Sequence, residues 1–307
     1  MDLPLKGIIP PMVTPLLENG ALDLAGLHKL AEYILAGGVH GLFLLGTTGE
    51  GTSLSHDLRK QLVVETCNIV KKRVPVLVCI TDTSFEESLE LAHHSAKAGA
   101  DILVVAAPYY LPISQSEMQD YLEVLLPSLP LPFLLYNMPS CTKMSLSLET
   151  ISKAKTLGAL GIKDSSGDME YMNRLINAFG GDSKFSIITG SELFLHETIL
   201  NGGHGAVAGG ANFFPRLFVD LYEASIDGDL AKIALLRETI VQIDNTIYSV
   251  GENISKYIKG IKSALAVLGI CNDFTAPPVK RFNEMERSKI QRYMNGFLSN
   301  IEFAAIK

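Results

Sequence analysis

The feature that most constrains the fold is a regular alternation of strand-like and helix-like patterns. Short apolar runs, typical of strands buried on both faces, are each followed by apolar residues at helical spacing. The expected strands are Gly7 to Val13, Gly41 to Leu45, Pro75 to Ile80, Asp101 to Ala106, Pro132 to Leu135, the segment ending at Lys163, Phe185 to Thr189, and Gly205 to Ala208. Eight such βα units predict an α/β fold, a (β/α)8 TIM barrel. A doubly wound sheet is the rival, but it rarely uses eight such uniform units.

Beyond the eighth unit the pattern is helical only. Helices are expected at Leu230 to Tyr248, Lys256 to Leu268 and Glu284 to Phe297. This remainder is too short to need a core of its own. We therefore expect a barrel over residues 1-226 and a three-helix C-terminal extension, residues 227-307, packed on it.

Charge and composition exclude several classes of partner. The chain has 307 residues and a net charge of −7, which argues against binding nucleic acid or an anionic membrane. The most apolar stretch, Val124 to Tyr136, is short and interrupted by prolines, and Met1 to Gly7 lacks the basic start and apolar core of a signal peptide. Four cysteines form no C-x-x-C pair, so we expect reduced thiols in a cytoplasmic protein.

Lys163 follows the apolar run of the sixth expected strand, and Ser165 to Asp168 supply turn and N-cap chemistry after it. A lysine at this junction has its stem in the core and its amine facing a crevice. Burial disfavours the ammonium form, and a neutral amine can attack a ketone to form a Schiff base. A lone lysine is usually an ordinary surface lysine, so Lys163 points to a site only together with the residues at the other strand ends.

Other strand ends carry polar groups, and in such barrels the active site lies at these ends. Gly46-Thr47-Thr48-Gly49-Glu50 offers hydroxyls and backbone N–H groups that suit a carboxylate or phosphate, although an ordinary tight turn would look the same. Tyr136 is either a core aromatic or a proton carrier. Tyr110 belongs to a tyrosine pair that could be a plain interface patch. The histidines show no metal-binding spacing, so no metal is expected.

Together these motifs resemble the dihydrodipicolinate synthase / N-acetylneuraminate lyase superfamily over nearly the whole chain. The matching segments are Gly46-Thr47-Thr48-Gly49-Glu50, Tyr136-Asn137-Met138-Pro139 and Gly161-Ile162-Lys163-Asp164. The resemblance implies a class I aldolase without a cofactor that acts on pyruvate and an aldehyde. It also implies a homotetramer, a dimer of dimers.

The resemblance assigns roles residue by residue. The residue matching Lys163 forms the imine, that matching Tyr136 moves the proton, and those matching Thr47 and Thr48 hold the pyruvyl carboxylate. In the synthases, the tyrosine matching Tyr110 completes a proton relay across a subunit interface. Thr47 is expected to be catalytic as well as substrate-binding. We further expect substrate contacts from Gly46, Cys141, Ser165, Gly190, Ser191, Glu192 and Val207.

Two departures from the motifs of this superfamily narrow the choice of substrate. Cys141 stands where the synthases have an arginine for the second substrate's carboxylate, and a thiol cannot replace a guanidinium. Glu192 is followed by Leu193, where sialic-acid lyases carry adjacent acids. The sequence therefore favours a 2-keto-3-deoxy-sugar-acid aldolase. The alternatives are a 4-hydroxy-2-oxoglutarate aldolase, dihydrodipicolinate synthase, N-acetylneuraminate lyase, or a non-catalytic barrel that binds a 2-oxo acid.

Overall fold

The computed structural model describes residues 3–299 and contains one eight-stranded parallel sheet. Residues 1–2 and 300–307, the outer ends of the two expected domain ranges, lie outside the described part. The strands are β1 (Gly7–Ile8), β2 (Leu42–Leu44), β3 (Val76–Cys79), β4 (Ile102–Ala106), β5 (Phe133–Asn137), β6 (Gly161–Asp164), β7 (Ser186–Thr189) and β8 (Gly205–Ala206). From β2 to β8 each strand pairs with its neighbour in sequence, and β1 pairs with β8.

Helices connect these strands, and further helices follow the last one. They are α1 (Leu24–Ala36), α2 (His56–Val70), α3 (Phe85–Ala98), α4 (Gln115–Leu125), α5 (Pro139–Thr142), α6 (Leu148–Thr156), α7 (Met169–Phe179), α8 (Leu195–Leu200), α9 (Pro215–Asp227), α10 (Leu230–Thr246), α11 (Lys256–Val267) and α12 (Glu284–Ser299). The predicted (β/α)8 barrel with C-terminal helices is confirmed. The division at residues 226 and 227 stays a prediction.

Contacts between β2 and the chain after β1 close the barrel. Pro11 and Phe43 form a parallel bridge, Phe43 N donates to Pro10 O at 2.9 Å, and Met12 N donates to Phe43 O at 2.9 Å. The expected strand Gly7 to Val13 is shorter in the structure because prolines 10 and 11 have no N–H to donate to a ladder.

At several helices, the side chain of the residue just before the first turn fixes where the helix begins. At each of five starts it accepts a hydrogen bond from a backbone N–H of the first turn, which satisfies a donor the helix leaves unpaired. These N-caps are Ser55, Ser84, Ser114, Ser147 and Asp168. Such caps each stabilise a helix by about 1 kcal/mol and hold the loops at the carboxyl ends of the strands in place.

The core fills the barrel interior and the layer between strands and helices. Ile8, Leu44, Val78 and Leu135 are fully buried, as expected for parallel strands covered on both faces. No helix within residues 3–299 has the length and apolar character needed to cross a bilayer.

Candidate active site

Lys163 lies on β6, beside Tyr136 on β5, and the two are direct partners in the strand register. Lys163 is only 6% exposed. Its Nζ atom lies 3.8 Å from the centroid of the Tyr136 ring and 4.9 Å from that of Phe43. Among residues 3–299 no carboxylate forms an ion pair with Lys163. The amine is therefore surrounded by aromatic faces at the carboxyl end of the sheet.

The carboxylate next to Lys163 faces away from it. Asp164 accepts hydrogen bonds from Asn137 Nδ2 at 2.7 Å and from Ser166 Oγ at 2.8 Å. Burial raises the pKa of Asp164. Because Asp164 and Asn137 are register partners, they tie the ends of β5 and β6 together below the site.

Tyr136 reaches the turn after β2. Its hydroxyl lies 3.3 Å from Thr47 Oγ1, close enough to exchange a hydrogen bond. Tyr136 is 5% exposed, and its ring packs edge to face against Phe43 with centroids 6.1 Å apart. The structure thus brings Lys163, Tyr136 and Thr47 together, as the sequence predicted from three distant segments.

The turn that carries Thr47 and Thr48 is fixed from below. Glu50, in the left-handed region at φ 57°, points into the protein and forms an ion pair with Lys262, which is 0% exposed. Glu50 Oε2 also accepts from Ala276 N at 2.7 Å, and Lys262 Nζ donates to Phe274 O at 2.7 Å. Burial lowers the pKa of Lys262. Lys262 lies on α11, so the C-terminal helices anchor this turn.

A cavity of about 300 Å³ opens in front of Lys163. Of the expected site residues, Thr47, Thr48, Tyr136, Lys163, Ser165, Gly190, Ser191, Glu192 and Val207 line it. Gly190 permits the close approach of the β6 and β7 ends, since a Cβ there would lie 1.9 Å from Ser165 Oγ. The ends of five strands therefore meet around this cavity.

Glu192 lines the cavity, but its carboxylate is already bonded. Oε1 accepts from Gly210 N at 2.5 Å and from Tyr257 Oη at 3.0 Å. Tyr248 Oη lies 3.2 Å from Oε1 and 3.1 Å from Oε2. Burial raises the pKa of Glu192 to about 7, and burial raises the pKa values of Tyr248 and Tyr257 well above their usual range.

Cys141 lines a second cavity, of about 240 Å³, on the other side of Tyr136. Gly46, Thr47, Tyr109 and Glu50 line it too, and Cys141 itself is exposed. The helix α5, which the sequence analysis did not predict, carries Cys141 away from Ser191 and Glu192. The substrate contacts expected from the sequence are thus distributed over two cavities.

Tyr110 lies apart from both cavities. It is 93% exposed and adopts a positive φ of 83°, unusual for a tyrosine. Within residues 3–299 of one chain, nothing brings its hydroxyl to Lys163. Its expected role in a proton relay needs a second subunit and stays a prediction.

Sequence reasoning missed the contribution of the C-terminal helices. Ile240, Asp244, Tyr248, Tyr257 and Ile258 also line the cavity of Lys163. The only signal for them was two tyrosines near the junction of the first two C-terminal helices. Among residues 3–299, no group of histidine, cysteine and acidic side chains is arranged to hold a metal ion.

Comparison with known proteins places this architecture in a family. The model of the dihydrodipicolinate synthetase family matches residues 4–296. The "Probable 2-dehydro-3-deoxy-D-pentonate aldolase YjhH" of Escherichia coli (strain K12) is 33% identical over 289 residues, which are 93% of this chain and 95% of that protein.

Two solved structures have the same fold. The dihydrodipicolinate synthase of Bacteroides thetaiotaomicron is 47% identical with a TM-score of 0.94, over 96% of this chain and 100% of that one. YagE from Escherichia coli K12, solved in complex with pyruvate, is 32% identical with a TM-score of 0.89, over 95% and 98% of the two chains. This chain belongs to the dihydrodipicolinate synthetase family and is a lyase, a class I, pyruvate-dependent aldolase.

Proposed function

We propose that this protein cleaves and forms 4-hydroxy-2-oxo acids of the 2-keto-3-deoxy-sugar-acid type, with pyruvate as product or donor. The observation that carries the proposal is the placement of Lys163, Tyr136 and Thr47 in one cavity. A relative is named as an aldolase of 2-dehydro-3-deoxy-D-pentonate, which is a substrate of this class.

Cleavage begins when the neutral amine of Lys163 attacks the C2 ketone and water leaves, which gives an iminium ion. Tyr136 accepts the proton of the C4 hydroxyl, the C3–C4 bond breaks, and its electron pair forms an enamine with C2. The aldehyde departs, C3 takes up a proton, and water hydrolyses the imine to release pyruvate and the free lysine. Condensation is the reverse sequence.

Thr47 and Thr48 hold the pyruvyl carboxylate. Thr48 is 8% exposed in the turn that Glu50 anchors, and Thr47 lies beside the Tyr136 hydroxyl. A carboxylate fixed at this turn directs C2 toward the amine, because orientation of the reacting groups lowers the barrier. The Thr47 hydroxyl then extends the proton path from Tyr136.

The assembly and location are part of the proposal. A homotetramer, a dimer of dimers, would place Tyr110 of one subunit at the cavity of another, and its 93% exposure in the single chain leaves it free for that contact. The four free cysteines support a cytoplasmic location.

Trapping the imine tests the mechanism directly. Pyruvate and borohydride should leave a reduced adduct on the peptide that contains Lys163, found by mass spectrometry, and Lys163→Ala should remove it. An unlabelled Lys163 peptide would overturn the mechanism. A chain that binds pyruvate without turnover or adduct would be the non-catalytic alternative.

A substrate panel tests the specificity. In a lactate-dehydrogenase-coupled assay we expect faster pyruvate release from 2-keto-3-deoxygluconate or its galactonate epimer than from 4-hydroxy-2-oxoglutarate or N-acetylneuraminate. A preference for either of the last two would contradict the proposal.

Dihydrodipicolinate synthesis is the second candidate, because a protein with 47% identity carries that name. It would need a cation for the second substrate's carboxylate. Within residues 3–299, Lys163 is the one basic side chain that lines either cavity. We therefore expect negligible condensation of pyruvate with aspartate semialdehyde. A turnover of about 1–10³ per second would show that the protein is a synthase.

A further inference from the structure

The distal end of the Lys163 cavity is built from the junction of α10 and α11 and the end of β7. Tyr248 is 6% exposed and Tyr257 is half-buried, yet both line the cavity together with Glu192. Their rings pack against each other with centroids 4.4 Å apart. Packing therefore holds both phenols in fixed positions.

Glycines at the end of β8 allow this arrangement. A Cβ at Gly209 would lie 1.9 Å from Tyr257 Oη, and a Cβ at Gly210 would lie 2.8 Å from Tyr248 Oη. Gly210 also donates its N–H to Glu192. The backbone of this segment thus supports both the phenols and the carboxylate that they contact.

The hydrogen bonds decide what the two phenols offer to a ligand. A phenol has a single proton, and each phenol directs it to Glu192, at 3.0 Å from Tyr257 and 3.1 Å from Tyr248. What remains on each phenol oxygen is lone-pair capacity. With its proton used in this way, a phenol can accept a hydrogen bond from a ligand hydroxyl but cannot donate one to a ligand carboxylate.

The charges near this end of the cavity also favour a ligand hydroxyl over a ligand carboxylate. Asp244 lines the cavity as a second carboxylate besides Glu192. Among the described residues that line it, Lys163 is the sole basic side chain, and its amine is used for the imine. A ligand hydroxyl therefore binds favourably at this end. An additional anionic group on the ligand is disfavoured, because it faces hydrogen-bond acceptors and carboxylates.

We infer that Tyr248 and Tyr257 accept hydrogen bonds from the distal hydroxyls of the substrate, and that Glu192 is a positioning residue that orients both phenols. This inference rests on the proposed function and specifies the chemistry of the tail as a neutral polyol. It replaces the expectation of direct contact between Glu192 and the substrate.

The test compares two substrates that differ only in the tail. 2-Keto-3-deoxygluconate carries hydroxyls beyond C4, whereas 4-hydroxy-2-oxopentanoate ends in a methyl group. Tyr248→Phe and Tyr257→Phe should each lower kcat/KM for the sugar acid about 3- to 10-fold, as expected for a lost neutral hydrogen bond. They should leave kcat/KM for 4-hydroxy-2-oxopentanoate within about twofold, which is within ordinary variation for a lost contact that this substrate never makes.

Glu192→Gln should change substrate preference, which a purely structural role of Glu192 would leave unchanged. The amide can donate to one phenol, which frees that phenol's proton for the ligand. The ratio of kcat/KM for 2-keto-3-deoxygluconate over 4-hydroxy-2-oxoglutarate should then fall about tenfold. Tyr222→Phe is the matched control, because Tyr222 packs against His40 and lines neither cavity.

Borohydride labelling of Lys163 with pyruvate shows whether each variant keeps an intact site. Equal loss on both substrates in a variant that still labels, or no loss on the sugar acid, would overturn the inference while the aldolase function stands. Failure of the unmodified protein to cleave any 4-hydroxy-2-oxo acid would overturn the proposed function, and the inference with it.

Discussion

The two cavities beside Tyr136 differ in what they can do, although they share a wall. Thr47, Tyr136, Met138 and Ile258 line both. The first cavity adds Lys163 and a distal end with fixed hydrogen-bond acceptors. The second adds mostly apolar groups and the exposed Cys141. Within residues 3–299, Lys163, the residue expected to form the imine, lines only the first of these two cavities.

This contrast shows that strand order alone does not fix a pocket. The sequence predicted substrate contacts from both Cys141 and Ser191, since both follow strands at the same barrel end. The turn of α5 separates them, and the tyrosine that stands between the cavities belongs to each. Substitutions in each cavity can show whether the two act independently.

The largest effect on turnover is expected at Tyr136, which lines both cavities. Tyr136→Phe keeps the ring, and its packing on Phe43 and Lys163, but removes the proton carrier. Turnover should fall by about 10² to 10⁴, while the imine with pyruvate still forms. Steady-state cleavage and borohydride labelling separate the two steps. If turnover were unchanged, Tyr136 would be only a core aromatic.

A large loss of stability is expected beneath the second cavity. Lys262→Met leaves the Glu50 carboxylate buried without its cation, which typically costs about 3–5 kcal/mol. Chemical denaturation measures it. Lys60→Met is the matched control, since that lysine pairs with Glu90 near the surface and its removal should change stability little. Equal effects of the two variants would contradict the assigned role of the buried pair.

A smaller, pH-dependent effect should be confined to the first cavity. The pKa of Glu192 is raised to about 7 by burial, so the carboxyl gains a proton as pH falls through that value. A protonated carboxyl no longer accepts both phenol protons, and the titratable groups facing it are Tyr248, Tyr257 and Asp244.

The ratio of kcat/KM for 2-keto-3-deoxygluconate over 4-hydroxy-2-oxopentanoate should therefore drop below about pH 7. The chemistry at Lys163 cancels in this ratio because both substrates use it. In Glu192→Gln the ratio should not vary with pH. A ratio that is constant with pH in the unmodified protein would rule out an ionised Glu192 as the orienting group.

The smallest effect is expected at Cys141. Cys141→Ala should change cleavage of 2-keto-3-deoxygluconate by less than about twofold, because an exposed thiol outside the Lys163 cavity loses little when truncated. The coupled assay measures it. A tenfold loss would mean that the tail of the substrate crosses Tyr136 into the second cavity.

The barrel and the proximity of Lys163, Tyr136 and Thr47 could be predicted from the sequence, because both depend on local patterns. Apolar runs define the strands, and polar residues just after them must meet at the same end of the barrel. Strand lengths were predicted less well. The first strand is short because prolines 10 and 11 have no backbone N–H to donate to a neighbouring strand. Strand β8 ends at Ala206, before a 3₁₀ turn that begins at Gly209.

The tail site lay beyond sequence reasoning for a physical reason. Glu192 and Tyr257 are 65 positions apart, and they meet because α11 packs on the 3₁₀ turn that follows β8. Periodicity identifies α10 and α11 as helices without indicating which side chains they bring to the barrel. Glu50 was part of a recognised motif, yet its buried partner Lys262 could not be identified from spacing.

The pair of Glu50 and Lys262 has a consequence for building hybrid enzymes from this family. The turn that is to hold the pyruvyl carboxylate comes from the first quarter of the chain, and its counter-charge comes from α11 near the end. Grafting the C-terminal helices of a relative would exchange the tail contacts of Tyr248 and Tyr257, and with them the accepted aldehyde. The graft retains carboxylate binding only if the donor helix carries a cation at the place of Lys262, so this single position sets which halves can be recombined.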